Sequence, residues 1–116
     1  MNGESLLDLT IRGKVRTNSN RDEIHEWREN LEGYFASFLS GRIDRRKISV
    51  EVKIWLTSNR LERSKRNDLD NLVKPILDSM KKIGLIEDDS NIFHLIITKF
   101  PTDGEEEVNI RVREWS

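Results

Sequence analysis

Seven apolar residues, Leu69, Leu72, Val73, Ile76, Leu77, Met80 and Ile83, recur at steps of three and four and mark one face of an amphipathic helix. Both flanks of that helix are acidic. Asp68 and Asp70 stand at its start, and Glu87-Asp88-Asp89 follow Gly84, a residue suited to closing the last turn. Asp70 or Asn71 is the expected N-cap. Pro75 falls early in the helix, where it removes one backbone hydrogen bond. Carboxylates at i and i+2 of an extended segment project to the same side, which core packing does not require. A hard divalent cation does, because Mg²⁺ takes a few carboxylate oxygens and keeps water on its other positions.

The rest of the chain supplies a sheet and a second helix. Leu7, Leu9 and Ile11 alternate as a strand, with Gly13 at its end. Ile24, Trp27, Leu31, Tyr34/Phe35 and Phe38 make an amphipathic helix of about five turns, stopped by Gly41. Ile48, Val50, Val52, Ile54 and Leu56 alternate with Ser49, Glu51, Lys53 and Trp55 in the clearest strand. Residues 57–67 carry no apolar period and read as a basic loop, long enough to suggest function. Ile92 to Phe100 is apolar on both faces, which predicts a central strand ended by Pro101. Val108, Ile110 and Val112 form the last strand. The expectation is an α/β (α+β) fold in the order β-α-β-α-β-β, a mixed sheet of about four strands packed with two helices.

At 116 residues this is one domain, spanning 1–116. Charged and hydrophobic residues are each 35% of the chain, so the core is modest, and a homodimer interface would bury more apolar area. The absence of cysteine excludes disulfide frameworks and thiolate metal sites. The start of the chain has no signal-peptide pattern and no apolar run is long enough to span a membrane, which predicts a cytoplasmic protein. The net charge of −1 conceals a segregation. Arg42 to Arg66 holds nine basic residues against three acidic ones, whereas Glu87 to Glu107 holds seven acids against Lys99 alone. A basic surface beside an acidic one fits a protein that attracts phosphates and holds a cation near them.

Several other chemistries fail on residue type. A calcium loop beginning at Asp68 would have Val73 where glycine is needed and Ser79 where glutamate is needed. An aspartyl-phosphate nucleophile needs an apolar strand before the first Asp, and Arg63-Ser64-Lys65-Arg66-Asn67 is not one. His25 and His94 are too few and too distant for zinc. Neither a glycine-rich phosphate loop nor a serine nucleophile motif is present.

Arg66-Asn67-Asp68-Leu69-Asp70-Asn71-Leu72-Val73-Lys74, followed by Asp78, Gly84 and Asp88-Asp89, resembles the signature of the RusA-type Holliday junction resolvases. The resemblance runs from about Arg63 to Lys99, roughly a third of the chain. It implies Asp68, Asp70 and Asp89 as catalytic, metal-binding carboxylates, Asp88 as their neighbour on the metal, and Lys74 as a basic residue of the site. It also implies a homodimer that cuts four-way DNA junctions with Mg²⁺, one or two ions per site. Arg60, Arg63, Lys65 and Arg66 would then hold the DNA backbone beside the cut. A non-cutting junction-binding protein and a flap or single-strand nuclease are the alternatives.

One geometric question stays open in the sequence. A helix from Asn71 to Ile83 is about 20 Å long, with Asp70 at one end and Asp89 leaving the other. Either the chain from Gly84 runs straight back, or Asp89 serves the site of a second subunit.

Overall fold

Alternating side chains build four strands, and three- and four-residue spacing builds the two longer helices that cover one side of them. The computed structural model describes residues 2–17, 21–37, 47–63, 65 and 67–115. In chain order the elements are β1 (Asn2–Arg12), α1 (Arg21–Ala36), β2 (Ile48–Thr57), α2 (Ser58–Arg63), α3 (Leu69–Lys82), a 3₁₀ turn (Asp89–Asn91), β3 (Ile92–Thr102) and β4 (Glu107–Trp115). The sheet order is β1-β4-β2-β3, with β2 and β3 parallel and the β1–β4 and β4–β2 pairs antiparallel. The mixed sheet of the expected α+β fold is therefore present. Phe38, Gly41 and the basic residues Arg42, Arg45 and Arg46 lie outside the described residues.

The core follows the patterns. Ile48, Val50, Val52, Ile54 and Leu56 of β2 join Val108, Ile110 and Val112 of β4 and Leu7 and Ile11 of β1 on one face of the sheet. Ile24, Trp27, Leu31 and Phe35 of α1 and Leu72, Val73, Ile76 and Met80 of α3 close the same cluster. Burying these side chains supplies the main driving force, at about 25 cal/mol per Å² of apolar surface.

Three expectations are corrected. Residues 58–63, read as loop, form the third helix α2. Only Leu61 packs on the core there, so no apolar period could announce it. The helix is fixed instead by polar contacts, beginning with Thr57 Oγ1, which accepts from Arg60 N at 3.4 Å. The strand β3 is not central but lies at the sheet edge. Phe93 is 55% exposed, and Leu95 and Ile96 are 40% exposed. Ile92 and Ile97 pack against the core, whereas Phe93, Leu95 and Ile96 are left largely uncovered among the described residues. Pro101 sits inside β3, tolerable because an edge strand has an N–H side without a ladder partner.

Topology fixes where the acidic residues go. The chain leaves β2, turns through α2, and returns along α3 before entering β3 parallel to β2. The start of α3 thus lies at the far end of the parallel pair, and its last turn lies where β3 begins.

Candidate metal and DNA site

Asp68, not Asp70 or Asn71, is the N-cap of α3, with φ −79° and ψ 158°. Its carbonyl accepts the first helical bond, from Leu72 N at 3.2 Å. Its carboxylate makes no capping hydrogen bond and is exposed, as is that of Asp70. Among the described residues neither carboxylate has a hydrogen-bond or ion-pair partner. Because α3 begins at Leu69, Asp70 is helical and the extended i and i+2 arrangement expected of the two carboxylates does not form. They are two unsatisfied hard oxygen donors in the first turn, a donor type that Mg²⁺ accepts. Lys74 is exposed one turn beyond Asp70 on the same face. The helix runs through Pro75, which is buried and lacks the N–H that would have bonded to Asn71.

The opposite end is differently built. Ile83 ends α3, and Gly84 follows with φ +78°, a conformation glycine adopts without the Cβ penalty. Gly84 N donates to Lys81 O at 3.0 Å and Leu85 N donates to Met80 O at 2.9 Å, a two-bond motif that folds the chain back on the helix end. Leu85 and Ile86 are then buried, which commits the segment to that end of the core. Asp89 emerges beside the last turn, its Oδ2 3.2 Å from Lys81 Nζ. Lys81 also reaches Asp78 at 3.6 Å. The Asp89 carboxylate, hydrogen-bonded to its amine, holds Lys81 above the usual lysine range. Asp88 caps the 3₁₀ turn; its N donates to Asn91 Oδ1 at 2.9 Å. The Asp89 backbone N–H, followed by the Ser90 hydroxyl, holds the Asp88 carboxyl below the usual carboxylate range. Lys47, Glu87, Asp88, Ser90, Asn91 and Phe93 line an open cleft of about 420 Å³ beside it.

These two groups of carboxylates do not meet within one protomer. Asp70 and Lys81 are eleven residues apart on one helix, about 16 Å along its axis. The strand gives the same answer: Lys99 Nζ bonds Asn67 O at 2.7 Å, and Lys99 is seven residues, about 23 Å, from Ile92 at the start of β3. Among the described residues no group of three or more His, Asp or Glu side chains could hold a metal ion. Asp89 therefore does not join Asp68 and Asp70 in the same chain, because the Gly84 turn keeps it beside Lys81.

The basic segment divides as well. Arg63 and Lys65 are exposed next to the Asp68 end, as phosphate contacts require, and Arg66 lies outside the described residues. Arg60 is placed differently from Arg63 and Lys65. It points inward, with Nη1 2.7 Å from Glu106 Oε1 and Nε 2.9 Å from Asn67 Oδ1. Its Nε and Nη1 are thus turned to the protein. Asn67, Lys99 and Glu106 were missed in the sequence. Glu106 stands in the run Glu105-Glu106-Glu107 and looks like solvated surface, yet it is 6% exposed.

A sequence model described as Endodeoxyribonuclease RusA matches residues 10–113. The chain is 31% identical over 99 residues to the crossover junction endodeoxyribonuclease RusA of Aquifex aeolicus (strain VF5), covering 85% of this chain and 68% of that protein.

Proposed function

Because this chain belongs to the endodeoxyribonuclease RusA family, we propose that it is a Mg²⁺-dependent endonuclease that resolves four-way DNA junctions as a homodimer with paired cuts. The observation that carries the metal assignment is that Asp68 and Asp70, exposed at the start of α3, have no partner among the described residues. Asp68 and Asp70 would hold the ion with Asp89 of a second copy, Asp88 fixing the turn that presents Asp89. One or two Mg²⁺ held there would lower the pKa of a water and offset the charge of the scissile phosphate. Lys74, on the face of Asp70, donates to a phosphate oxygen as charge builds in the transition state. Arg63, Lys65 and Arg66 position the backbone beside the cut, since phosphate contacts set register rather than sequence choice. A DNA substrate places the protein's work in the cytoplasm.

The edge strand supports a two-fold arrangement. An isologous contact through β3 pairs the two copies antiparallel, so the start of one β3 lies beside the end of the other. That apposition brings the Asp89 end of one protomer toward the Asp68/Asp70 end of its partner, twice per dimer. It also covers Phe93, Leu95 and Ile96 and satisfies an open strand edge.

Incubation with Mg²⁺ and matched duplex, flap and four-way substrates tests the reading. Symmetric paired cuts confined to the junction are expected. Binding without cutting would make it a junction-marking protein, and preferential cutting of flaps would make it a flap nuclease.

A further inference from the structure

Beneath the Asp68 end lies a buried polar chain that the nuclease chemistry does not use. Glu106 is 6% exposed, and each of its oxygens is met by donors. Oε1 accepts from Val15 N at 3.2 Å and Arg60 Nη1 at 2.7 Å, and Oε2 accepts from Thr57 N at 3.0 Å. Arg60 Nη1 donates also to Val15 O. The guanidinium passes the contact outward, Nε donating to Asn67 Oδ1, while Asn67 Nδ2 donates back to Arg60 O at 3.3 Å. Asn67 is 4% exposed and is gripped a second time through its backbone carbonyl by Lys99 Nζ. The next residue is Asp68.

We propose that the Glu106–Arg60–Asn67 chain, with Lys99, is a positioning device for the Asp68/Asp70 half-site. The proposal rests on the nuclease reading above and deepens it. Buried ion pairs are seldom worth more than well-packed apolar replacements, so stability alone is a weak reason for this one. What the chain of contacts does provide is direction. It ties the start of β4, the segment after β1 and the end of β2 to the single residue preceding the first carboxylate. Asp68 lacks a capping bond of its own, so its position is inherited from Asn67 and the helix start. Metal ligands displaced by about 1 Å lose much of their effect, and outer partners of a metal site typically alter affinity by about 10–100-fold. Asn67, Arg60, Glu106 and Lys99 are accordingly positioning residues, none of them touching the reacting atoms.

The test uses Asn67→Ala in the full chain, with calorimetric Mg²⁺ titration, junction binding without metal, and single-turnover cleavage. The variant keeps the Arg60–Glu106 pair and should remain folded. Mg²⁺ affinity should fall about tenfold or more and cleavage by about 10–100-fold. Metal-free junction affinity should stay within about twofold, with its salt dependence unchanged. A folded Asn67→Ala protein with native Mg²⁺ affinity and native cleavage overturns the proposal. If that variant does not fold, Lys99→Met decides, because its partner is a backbone carbonyl that survives the change. It should weaken Mg²⁺ binding by several-fold without altering the salt slope. A slope smaller by about 0.9 with Mg²⁺ affinity intact would instead make Lys99 a phosphate contact and remove the device. A wild-type protein that neither binds Mg²⁺ nor cuts DNA fails the nuclease reading itself. A wild type that does both while the variants match it fails only this inference.

Discussion

The two ends of α3 carry the same residue type under opposite conditions. At the amino end Asp68 and Asp70 have no protein partner among the described residues, and the segment before them is clamped from below. At the carboxyl end Asp89 is matched by Lys81, and Asp88 is spent on the 3₁₀ turn. Under the proposed function the unsatisfied carboxylates on this clamped base would take the cation. Among the described residues neither end is a complete metal centre, and the difference is what the proposed two-copy site would resolve.

The largest effect should come from the open end. Asp70→Asn keeps the side-chain shape and loses at most the modest helix-dipole contribution of a first-turn acid, about 0.3–1 kcal/mol. The fold should persist and metal-free junction binding should hold or improve, because a charge that repels phosphate is gone. Cleavage should drop by about two to three orders of magnitude, read under single turnover. Near-normal cutting by the folded variant would remove Asp70 from the site.

Mixing Asp70→Asn with Asp89→Asn addresses the division directly. If each site draws on both copies, a mixed dimer has one doubly damaged site and one intact site. Random reassortment then restores about a quarter of the wild-type sites, seen as single nicks rather than paired cuts. If each site lies within one chain, every site keeps a defect and the mixture stays inactive.

Charging the edge strand, as Leu95→Glu with Ile96→Glu, should leave a folded monomer in sedimentation, since exposed substitutions change stability little. It should also lose cutting while keeping both groups of carboxylates. A cleaving monomer would break the comparison.

Removing Arg63 and Lys65 together should weaken binding to every DNA sequence alike. The slope of log affinity against log salt should shrink by about 0.9 per contact. An unchanged slope would move the DNA surface away from the open end, toward Arg111 and Arg113.

The smallest effect concerns Asp88. Its carboxyl is held below the ordinary 3.8, so the stability it contributes is present above that value and is lost as pH falls through the lowered one. The thermal advantage of wild type over Asp88→Asn, on the order of a degree or two at pH 6, should persist to about pH 4 and vanish in stronger acid. A difference unchanged into strong acid would show that Asp88 does not hold the turn by charge.

Much of this was legible beforehand. The alternation of Ile48 to Leu56 and the helical spacing of Leu69 to Ile83 correspond to β2 and α3, because their periods exceed any competing local signal. Gly84 closes α3 as its position suggests. The α2 helix was not legible, since Leu61 is its one apolar contact with the core and its order comes from Thr57, Arg60 and residues distant in sequence. The edge position of β3 is not legible in sequence, because an apolar face reads alike whether it is covered or left at the rim of the sheet.

The sequence by itself determined the elements, the core-facing residues and the inventory of carboxylates and cations, because periodicity and residue type are local properties. Tertiary structure alone decided which charges are buried and which carboxylates meet. Glu106 and Glu105 are neighbours in one acidic run, yet only the crossing of β4 with the ends of β1 and β2 brings donors to the former and leaves the latter in water. Asp70 and Asp89 belong to one motif in sequence, yet a rigid helix and a parallel strand hold them at opposite ends of the domain. Side-chain chemistry is written residue by residue, but a site is a set of distances, and distances are fixed only when the chain has packed.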